Sequence, residues 1–168
     1  MSGILVENPL DRQFFSPTLG RVSRAQVVER LSSFLDEDPE ASYRIVIGSD
    51  SQQYNHHGVD FVSALVIHRI GRGGIYFWQK RVEQRVFSLP ERIFQEALDS
   101  LLLAQALLEE LKNRNILRYS FEIHVDVGQV GETRELINEV VGMIRGNGFD
   151  VKTKPDSFAA SKVADRHT

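Results

Sequence analysis

A change of hydrophobic period midway along the chain is the feature that most restricts how this sequence can fold. Residues 44–50, 59–70 and 75–86 are rich in β-branched and aromatic side chains, and a glycine-rich turn at 71–74 joins the second stretch to the third. From residue 89 to 111 the apolar residues instead recur every three to four positions, as on one face of a helix. The pattern therefore predicts three strands joined as a meander, followed by a long helix.

The rest of the chain alternates between the two periods. Residues 119–127 alternate apolar and polar side chains like a strand, 132–145 have helical spacing, and 149–154 form a short strand. A last short helix is predicted from about residue 157 to the C-terminus. A meander followed by βα units predicts an α/β fold with a five-stranded mixed sheet, flanked by helices. Its first three strands are antiparallel, and the last two are parallel to the first.

Length and composition fit a single globular domain. The 168 residues are 42% hydrophobic and 26% charged, which is ordinary for such a domain. The first regular element of this domain is a predicted helix that begins at Ser23 and ends at Asp38. We therefore expect one domain over residues 21–168, preceded by an irregular leader over 1–20.

The residue types that are absent or scarce narrow the chemistry. The chain has no cysteine, which excludes disulfides, thiolate zinc sites, iron–sulfur clusters and a cysteine nucleophile. Its net charge of −3 at pH 7 does not favour a basic nucleic-acid coat protein. No apolar run approaches the roughly 18 residues of a membrane span, and the first ten residues do not resemble a signal peptide. We expect a cytoplasmic protein with no membrane contact.

Two aspartates follow apolar strands that the predicted fold places side by side. Asp50 ends the first strand and Asp126 lies near the end of the fourth, so parallel pairing would bring both to one edge of the sheet, where ligand sites collect. Either residue taken alone fits a turn or a helix cap equally well. Two carboxylates held together repel each other unless a cation joins them, and oxygen ligands favour Mg²⁺ or Mn²⁺.

Two further acids could complete such a cluster. Glu96 lies in the middle of the long helix, one position from the centre of its apolar stripe, and Glu91 and Asp99 compete for the same role. Asp165 shares one face of the last helix with an apolar residue, whereas Asp156 precedes that helix and fits a cap better. The predicted stripe of the long helix comprises Phe94, Ala97, Leu98, Leu101, Ala104 and Leu108.

Three short motifs carry a resemblance to a known family. They are residues 47–52 (IGSDSQ), 124–128 (HVDVG) and 154–166 (KPDSFAASKVADR). In combination they resemble the bacterial YkuK-type family of predicted ribonuclease H-related nucleases, over roughly residues 20–168. The predicted order of elements is also similar to that of the wider ribonuclease H-like superfamily. The acids of that superfamily come from the first strand, the first helix, the fourth strand and the last helix.

The resemblance implies a site and a mechanism. It assigns Asp50, Glu96, Asp126 and Asp165 as catalytic residues and as ligands of two Mg²⁺ or Mn²⁺ ions. Asp50 would bridge both ions, Glu96 and Asp126 would hold one, and Asp165 would hold the other. The implied reaction is two-metal hydrolysis of phosphodiester bonds in RNA or DNA, which leaves 5′-phosphate and 3′-hydroxyl ends.

Four basic side chains near the C-terminus are candidates for substrate binding. Lys154, Lys162, Arg166 and His167 lie beside the implied fourth acid and could contact a nucleic-acid backbone, although each alone fits a solvated helix end. The sequence leaves two other functions open on the same fold. One is a catalytically silent nucleic-acid-binding module, and the other is a protein-interaction module that uses the leader and the aromatic hairpin edge.

Overall fold

Seven strands and three α-helices make up the described part of the chain. A computed structural model describes residues 7–54, 56–112, 119–127, 134–154, 156–157, 163–164 and 166–167. The strands are β1 (Phe14–Ser16), β2 (Gly20–Val22), β3 (Tyr43–Tyr54), β4 (Gly58–Arg69), β5 (Gly74–Glu83), β6 (Ser120–His124) and β7 (Asp150–Lys152). The helices are α1 (Arg24–Glu37), α2 (Leu89–Glu110) and α3 (Arg134–Gly146), and a 3-10 helix spans Pro9–Asp11.

One mixed sheet contains all seven strands, in the order β2-β1-β5-β4-β3-β6-β7. Strands β3, β4 and β5 pair antiparallel in succession, whereas β6 pairs parallel with β3 and β7 pairs parallel with β6. The predicted meander of three antiparallel strands and the two parallel strands that follow are confirmed. Strand β3 therefore lies between an antiparallel and a parallel neighbour near the centre of the sheet.

The predicted number of five strands is wrong, because the N-terminal segment adds two more. Strands β1 and β2 form a hairpin that joins the edge of β5, where Phe15 pairs with Trp78. Phe14 is fully buried, and Gly20 has the positive φ of 71° that favours glycine at the hairpin turn. Each strand has only three residues, which is too short for an alternating pattern to stand out in the sequence. Residues 14–20, expected in an irregular leader, therefore extend the sheet.

The main core lies between one face of the sheet and the three helices. Ile45 and Ile47 of β3 and Leu65 of β4 are fully buried in it. Ser23 and Ser88 begin α1 and α2 with capping boxes, in which each serine side chain accepts a backbone N–H of the first turn. Although α2 has 22 residues, no helix within the described ranges is long and apolar enough to cross a lipid bilayer.

Helix α2 is rotated relative to the apolar stripe that the sequence predicts. Phe94 and Leu108, which belong to the predicted stripe, are exposed, whereas Ile93, Glu96 and Ser100 are buried. The buried face combines Ile93, Leu103 and Leu107 of the main core with Glu96 and Ser100. Both polar residues hydrogen-bond to residues of β3. The rotation brings a carboxylate onto the buried face of the helix.

The opposite face of the sheet receives the end of the chain. Ala164 is fully buried against Val46 of β3 and against Val62 and Ala64 of β4. Residues 163–164 and 166–167 are helical, and the rest of the predicted last helix lies largely outside the described residues. The small side chain at position 64 lets this segment approach the sheet closely.

Candidate active site

Strand register places Asp50 and Asp126 at the same level of the sheet. Gly48 of β3 pairs with His124, the last residue of β6, and each aspartate follows two residues later along its own chain segment. Residues two apart in a strand point to the same face. Asp50 is half-buried, and the side chain of Asp126 is 36% exposed. The prediction that Asp50 ends its strand is wrong, because pairing with β4 continues β3 to Tyr54. Both aspartates nevertheless lie just beyond the point where the parallel pairing of β3 and β6 ends.

Glu96 brings a third carboxylate to this place from α2. The residue is only 8% exposed, and its burial raises the pKa of Glu96 to about 8. A hydrogen bond from Ser51 opposes this increase in pKa, whereas the negative charges of Asp50 and Asp126 add to it. The three acids are therefore close enough to influence one another, and Glu96 is largely protonated at pH 7.

A chain of two hydrogen bonds orients Glu96. The hydroxyl of Ser51 donates to Oε1 of Glu96, and Nε of Arg92 donates to the same hydroxyl oxygen at 3.0 Å. A second guanidinium nitrogen of Arg92 donates to the backbone carbonyl of Ser51, also at 3.0 Å. Because the planar guanidinium makes both contacts, it fixes the direction in which the serine hydroxyl points.

Three buried serines fix helix α2 against the sheet one turn further along. The Ser49 hydroxyl lies 2.7 Å from that of Ser63 on β4 and 2.8 Å from that of Ser100 on α2. Ser100 is four residues after Glu96 and therefore lies on the same helix face. This network links β3, β4 and α2, and so it fixes the part of the helix that carries Glu96 against the sheet.

The two acids that compete with Glu96 in the sequence have other roles. Glu91 accepts the backbone N–H of Ser88 in the capping box of α2. Asp99 is buried, but it accepts from Arg81 at 2.8 Å and belongs to a separate ion pair. Among the described contacts, neither acid makes the hydrogen bond with Ser51 of β3 that Glu96 makes.

The chemistry of the donor set fits a hard divalent cation. Three carboxylates supply only oxygen ligands, which Mg²⁺ and Mn²⁺ prefer. In the part of the chain that the structure describes, however, no three His, Asp or Glu side chains are grouped closely enough to hold a metal ion as they stand. Two of the acids instead have other partners: Ser51 donates to Glu96, and Nζ of Lys154 lies 3.2 Å from Oδ1 of Asp126. Ser51 and Lys154 therefore contact carboxylate oxygens that would otherwise be available to a cation.

The other candidate residues of the sequence have different surroundings. Asp165, the implied fourth acid, and Lys162 lie outside the described residues. Lys154 contacts Asp126, and Arg166 is exposed. The structure thus places Asp50 and Asp126 near enough to Glu96 for their charges to raise its pKa, and it pairs Lys154 with Asp126.

His167 packs on the sheet at some distance from the acids. Its ring stacks on Trp78 of β5 with centroids 4.2 Å apart, and Phe15 stacks near the same indole at 4.5 Å. Burial lowers the pKa of His167, and among the described residues its Nε2 has no hydrogen-bond partner. His167 therefore anchors the end of the chain on β5, two strands from Asp50.

A buried acid next to this site is missing from the sequence-based candidates. Asp60 of β4 is 3% exposed, accepts from the Tyr54 hydroxyl and lies 2.5 Å from Nζ of Lys80. It lies two residues before the residue that opposes Asp50 and points to the same face of the sheet. The sequence does show a single aspartate inside the apolar stretch 59–70, which could have identified Asp60 as a candidate. That Lys80 is its partner can be seen only from the register of β4 and β5.

A cavity of about 450 Å³ opens on the same face of the sheet, lined by residues that include Arg44, Glu122 and His124. Nε2 of His124 lies 3.0 Å from Oε2 of Glu122. Burial lowers the pKa of His124, so the ring is neutral at pH 7 and its Nε2–H donates to the carboxylate. His124 is thus held by Glu122, although it lies only two residues before Asp126.

The fold agrees with a comparison of the chain with known protein families. A family model described as Ribonuclease H-like matches residues 26–168. The chain therefore belongs to the ribonuclease H-like family. It is also 34% identical, over 169 aligned residues, to "Uncharacterized protein YkuK" of Bacillus subtilis (strain 168); the alignment covers 92% of this chain and 96% of that relative. The YkuK-type resemblance of the three motifs is thereby confirmed.

Two solved structures are similar to the chain at 13% sequence identity. One is the N-terminal RNase H domain of Rv2228c from Mycobacterium tuberculosis, fused to maltose-binding protein, with a TM-score of 0.36 over 74% of this chain and 96% of that one. The other is Ciona intestinalis endonuclease V in complex with a 24-mer DNA that contains an inosine followed by a ribo-adenosine. Its TM-score is 0.42 over 83% of this chain and 66% of that one.

Proposed function

We propose that this protein is a metal-dependent nuclease that hydrolyses phosphodiester bonds of RNA or DNA. The observation that carries the proposal is that Asp50 and Asp126 lie just beyond the parallel pairing of β3 and β6 in a ribonuclease H-like fold, near enough to Glu96 for their charges to raise its pKa. Carboxylates placed in this way repel one another, because they carry like charges in a partly buried place. A bound divalent cation would offset this repulsion.

The proposed site would hold two Mg²⁺ or Mn²⁺ ions. Asp50 would bridge both ions, Glu96 and Asp126 would bind one, and Asp165 would bind the other. Bound divalent ions supply activation of the attacking water and stabilisation of the leaving oxygen.

The residues around the acids would keep them ready for this role. Arg92 and Ser51 hold Glu96 from the side of the strand, so that its carboxyl does not turn into the apolar core. Lys154 balances the charge of Asp126. With a cation bound to Asp126, the ammonium of Lys154 would be available to a phosphate of the substrate.

Cleavage of a labelled panel tests the proposal. Single-stranded RNA and DNA, both duplexes, an RNA–DNA hybrid and a branched junction would be incubated with Mg²⁺, Mn²⁺ or EDTA. Asp50→Asn is expected to abolish cutting. Asp36→Asn, an exposed aspartate of α1, is the matched control and should cut like the wild type.

Each outcome of the panel has a defined meaning. Metal-dependent cutting that Asp50→Asn loses supports the nuclease and identifies its substrate class. Equal cutting by wild type and Asp50→Asn indicates a contaminant and contradicts the proposed site. Binding to one panel member without cutting in either metal favours the silent nucleic-acid-binding module instead.

A further inference from the structure

The cavity of about 450 Å³ has an apolar floor and a polar wall. Val46 of β3 pairs with Val66 of β4 on one side and with Glu122 of β6 on the other. Lys152 of β7 pairs with His124, and paired residues of neighbouring strands point to the same face. The register thus groups a carboxylate, an imidazole and an ammonium around two valines. The volume lies within the range of small-ligand sites, roughly 300–1,000 Å³.

Glu122 is a buried carboxylate with few hydrogen-bond donors. Its side chain is 9% exposed, and among the described residues one hydrogen bond reaches it, from Nε2–H of His124 to Oε2 at 3.0 Å. Nε of Arg44 lies 3.6 Å from Oε1, which is too far for a hydrogen bond. A carboxylate can accept about four hydrogen bonds, and buried polar groups are normally satisfied. Glu122 is therefore able to accept N–H groups of a ligand.

The charges around the cavity restrict the kind of ligand. Among the charged residues that line it, Arg44 and Lys152 balance Glu122 and Asp156. A simple anion would meet the buried carboxylate, whereas a metal cation would meet two basic side chains. Within the described ranges, no three His, Asp or Glu side chains are grouped closely enough to hold a metal ion. The cavity instead suits a ligand with N–H donors at one end, a negative charge at the other and a planar body over the valines.

A nucleotide has this combination of groups. Guanine offers two adjacent N–H donors, N1–H and the 2-amino group, beside the acceptor O6, and an unpaired base presents this edge to a protein. Arg44 beside Glu122 offers the complementary order, donors next to carboxylate oxygens. We infer that the cavity binds an unpaired guanine nucleotide, in which Glu122 accepts from the base, Arg44 donates to O6 and Lys152 contacts the phosphate.

The guanine nucleotide has two sources that experiment can distinguish. One is a free mononucleotide, and the other is a single strand whose backbone passes the candidate acids. His124 lies two residues before Asp126, so a base in the cavity would be next to the candidate active site. Only the second source rests on the proposed function, because it makes the cavity a specificity site of the nuclease.

Calorimetric titration of the wild type in EDTA tests the inference from the side of the ligand. GMP is expected to bind saturably and more tightly than AMP, CMP and UMP. IMP lacks the 2-amino group and should bind at least about fivefold more weakly than GMP, since a hydrogen bond to a carboxylate is lost. Guanosine should also bind more weakly, because it lacks the phosphate. Asp50→Asn should bind GMP like the wild type.

Two variants test the two ends of the ligand. Glu122→Gln replaces an acceptor oxygen by an N–H donor, so it should lower the affinity for GMP at least about tenfold and remove the preference over IMP. Lys152→Gln should instead remove the preference for GMP over guanosine. Glu29→Gln and Lys112→Gln, at exposed positions, are the matched controls. Thermal unfolding checks that each variant is folded.

A short single strand with one guanine, and the duplex in which that guanine is paired, identify the source. Tighter binding of the single strand than of GMP to Asp50→Asn supports a substrate strand as the ligand. Binding of GMP alone supports the free nucleotide. Competition by the duplex for the GMP site would overturn the inference, because the edge of its guanine is already paired.

Three further outcomes would overturn the inference. They are no saturable binding of GMP or of the single strand, equal binding of the four mononucleotides, and equal effects of Glu122→Gln and Glu29→Gln. None of them bears on cleavage, which the labelled panel tests separately. The inference and the nuclease proposal can therefore fail independently.

Discussion

Ser51 donates its hydroxyl to Glu96 across the contact between β3 and α2, one residue after Asp50 in the chain. Arg92 donates to both the hydroxyl and the carbonyl of Ser51, which gives the bond a fixed direction. The most buried acid of the candidate site is therefore oriented by the same strand that carries Asp50. This relationship couples the geometry of the acids to the stability of the fold.

Removal of the Ser51 hydroxyl should destabilise the protein. Ser51→Ala leaves the buried Glu96 without its donor and Nε of Arg92 without its acceptor, although Arg92 keeps the backbone carbonyl of Ser51. The expected cost is about 1–3 kcal/mol. Ser33→Ala, at an exposed position of α1, should change the free energy of unfolding by less than about 0.5 kcal/mol. Urea unfolding of both variants checks this. Equal effects would contradict the role given to Ser51.

The raised pKa of Glu96 predicts how stability changes with pH. The pKa of about 8 in the folded state lies above the ordinary value of 4.5, so the folded state holds this proton more tightly than the unfolded state does. The stability that comes from it is complete below pH 4.5 and is lost as the pH rises through 8. Relative to Glu96→Gln, the wild type should lose on the order of 3 to 5 kcal/mol between these limits.

Unfolding in EDTA at several pH values measures the effect. Glu29→Gln, at an exposed position of α1, is the matched control and should follow the wild type. A difference between the wild type and Glu96→Gln that stays constant with pH would contradict the burial of an ionisable Glu96.

Trp78 should report the docking of the chain end, because it is the single tryptophan of the protein. His167 stacks on its indole at 4.2 Å. His167→Ala is therefore expected to increase quenching of the tryptophan fluorescence by acrylamide. His57→Ala, in an exposed turn, should leave the quenching unchanged. If both variants match the wild type, the end of the chain does not cover Trp78 in solution.

The N-terminal hairpin should contribute to stability as part of the core. Phe14→Ala is expected to cost about 3–5 kcal/mol, since Phe14 is fully buried. Leu19→Ala, at the exposed turn of the hairpin, should cost less than about 0.5 kcal/mol. Thermal and urea unfolding would measure both, and a small effect of Phe14→Ala would mean that the hairpin is not docked.

The order of the elements and the level of Asp50 and Asp126 follow from local sequence patterns. Alternation and period identify the strands, and the rule for parallel βα connections then sets β6 beside β3. The place of Glu96 in the candidate site cannot be predicted from local sequence patterns in the same way. Glu91 and Asp99 are equally acidic neighbours, and only tertiary contacts decide which of the three is buried beside the aspartates.

Other features depend on contacts that a linear sequence does not display. The strand of Phe14 is too short to show a period, and the packing of His167 on Trp78 joins residues far apart in the chain. The pair of Asp60 and Lys80 depends on the register of the hairpin between β4 and β5. At each of these positions the residue is compatible with its local secondary structure. The contact that gives the residue its role forms only when the strands of the sheet pair.

Binding of Mn²⁺ is the most direct test of the central claim that three acids form a cation site. Calorimetry and electron paramagnetic resonance would compare the wild type, Asp50→Asn, Glu96→Gln and the surface control Asp36→Asn, all shown to be folded. We predict saturable binding by the wild type and the control, with at least about a tenfold loss of affinity in the other two, since each loses a carboxyl group that could bind the cation in its ionised form. Equal affinities in all four proteins, or no binding by the wild type, would contradict the account.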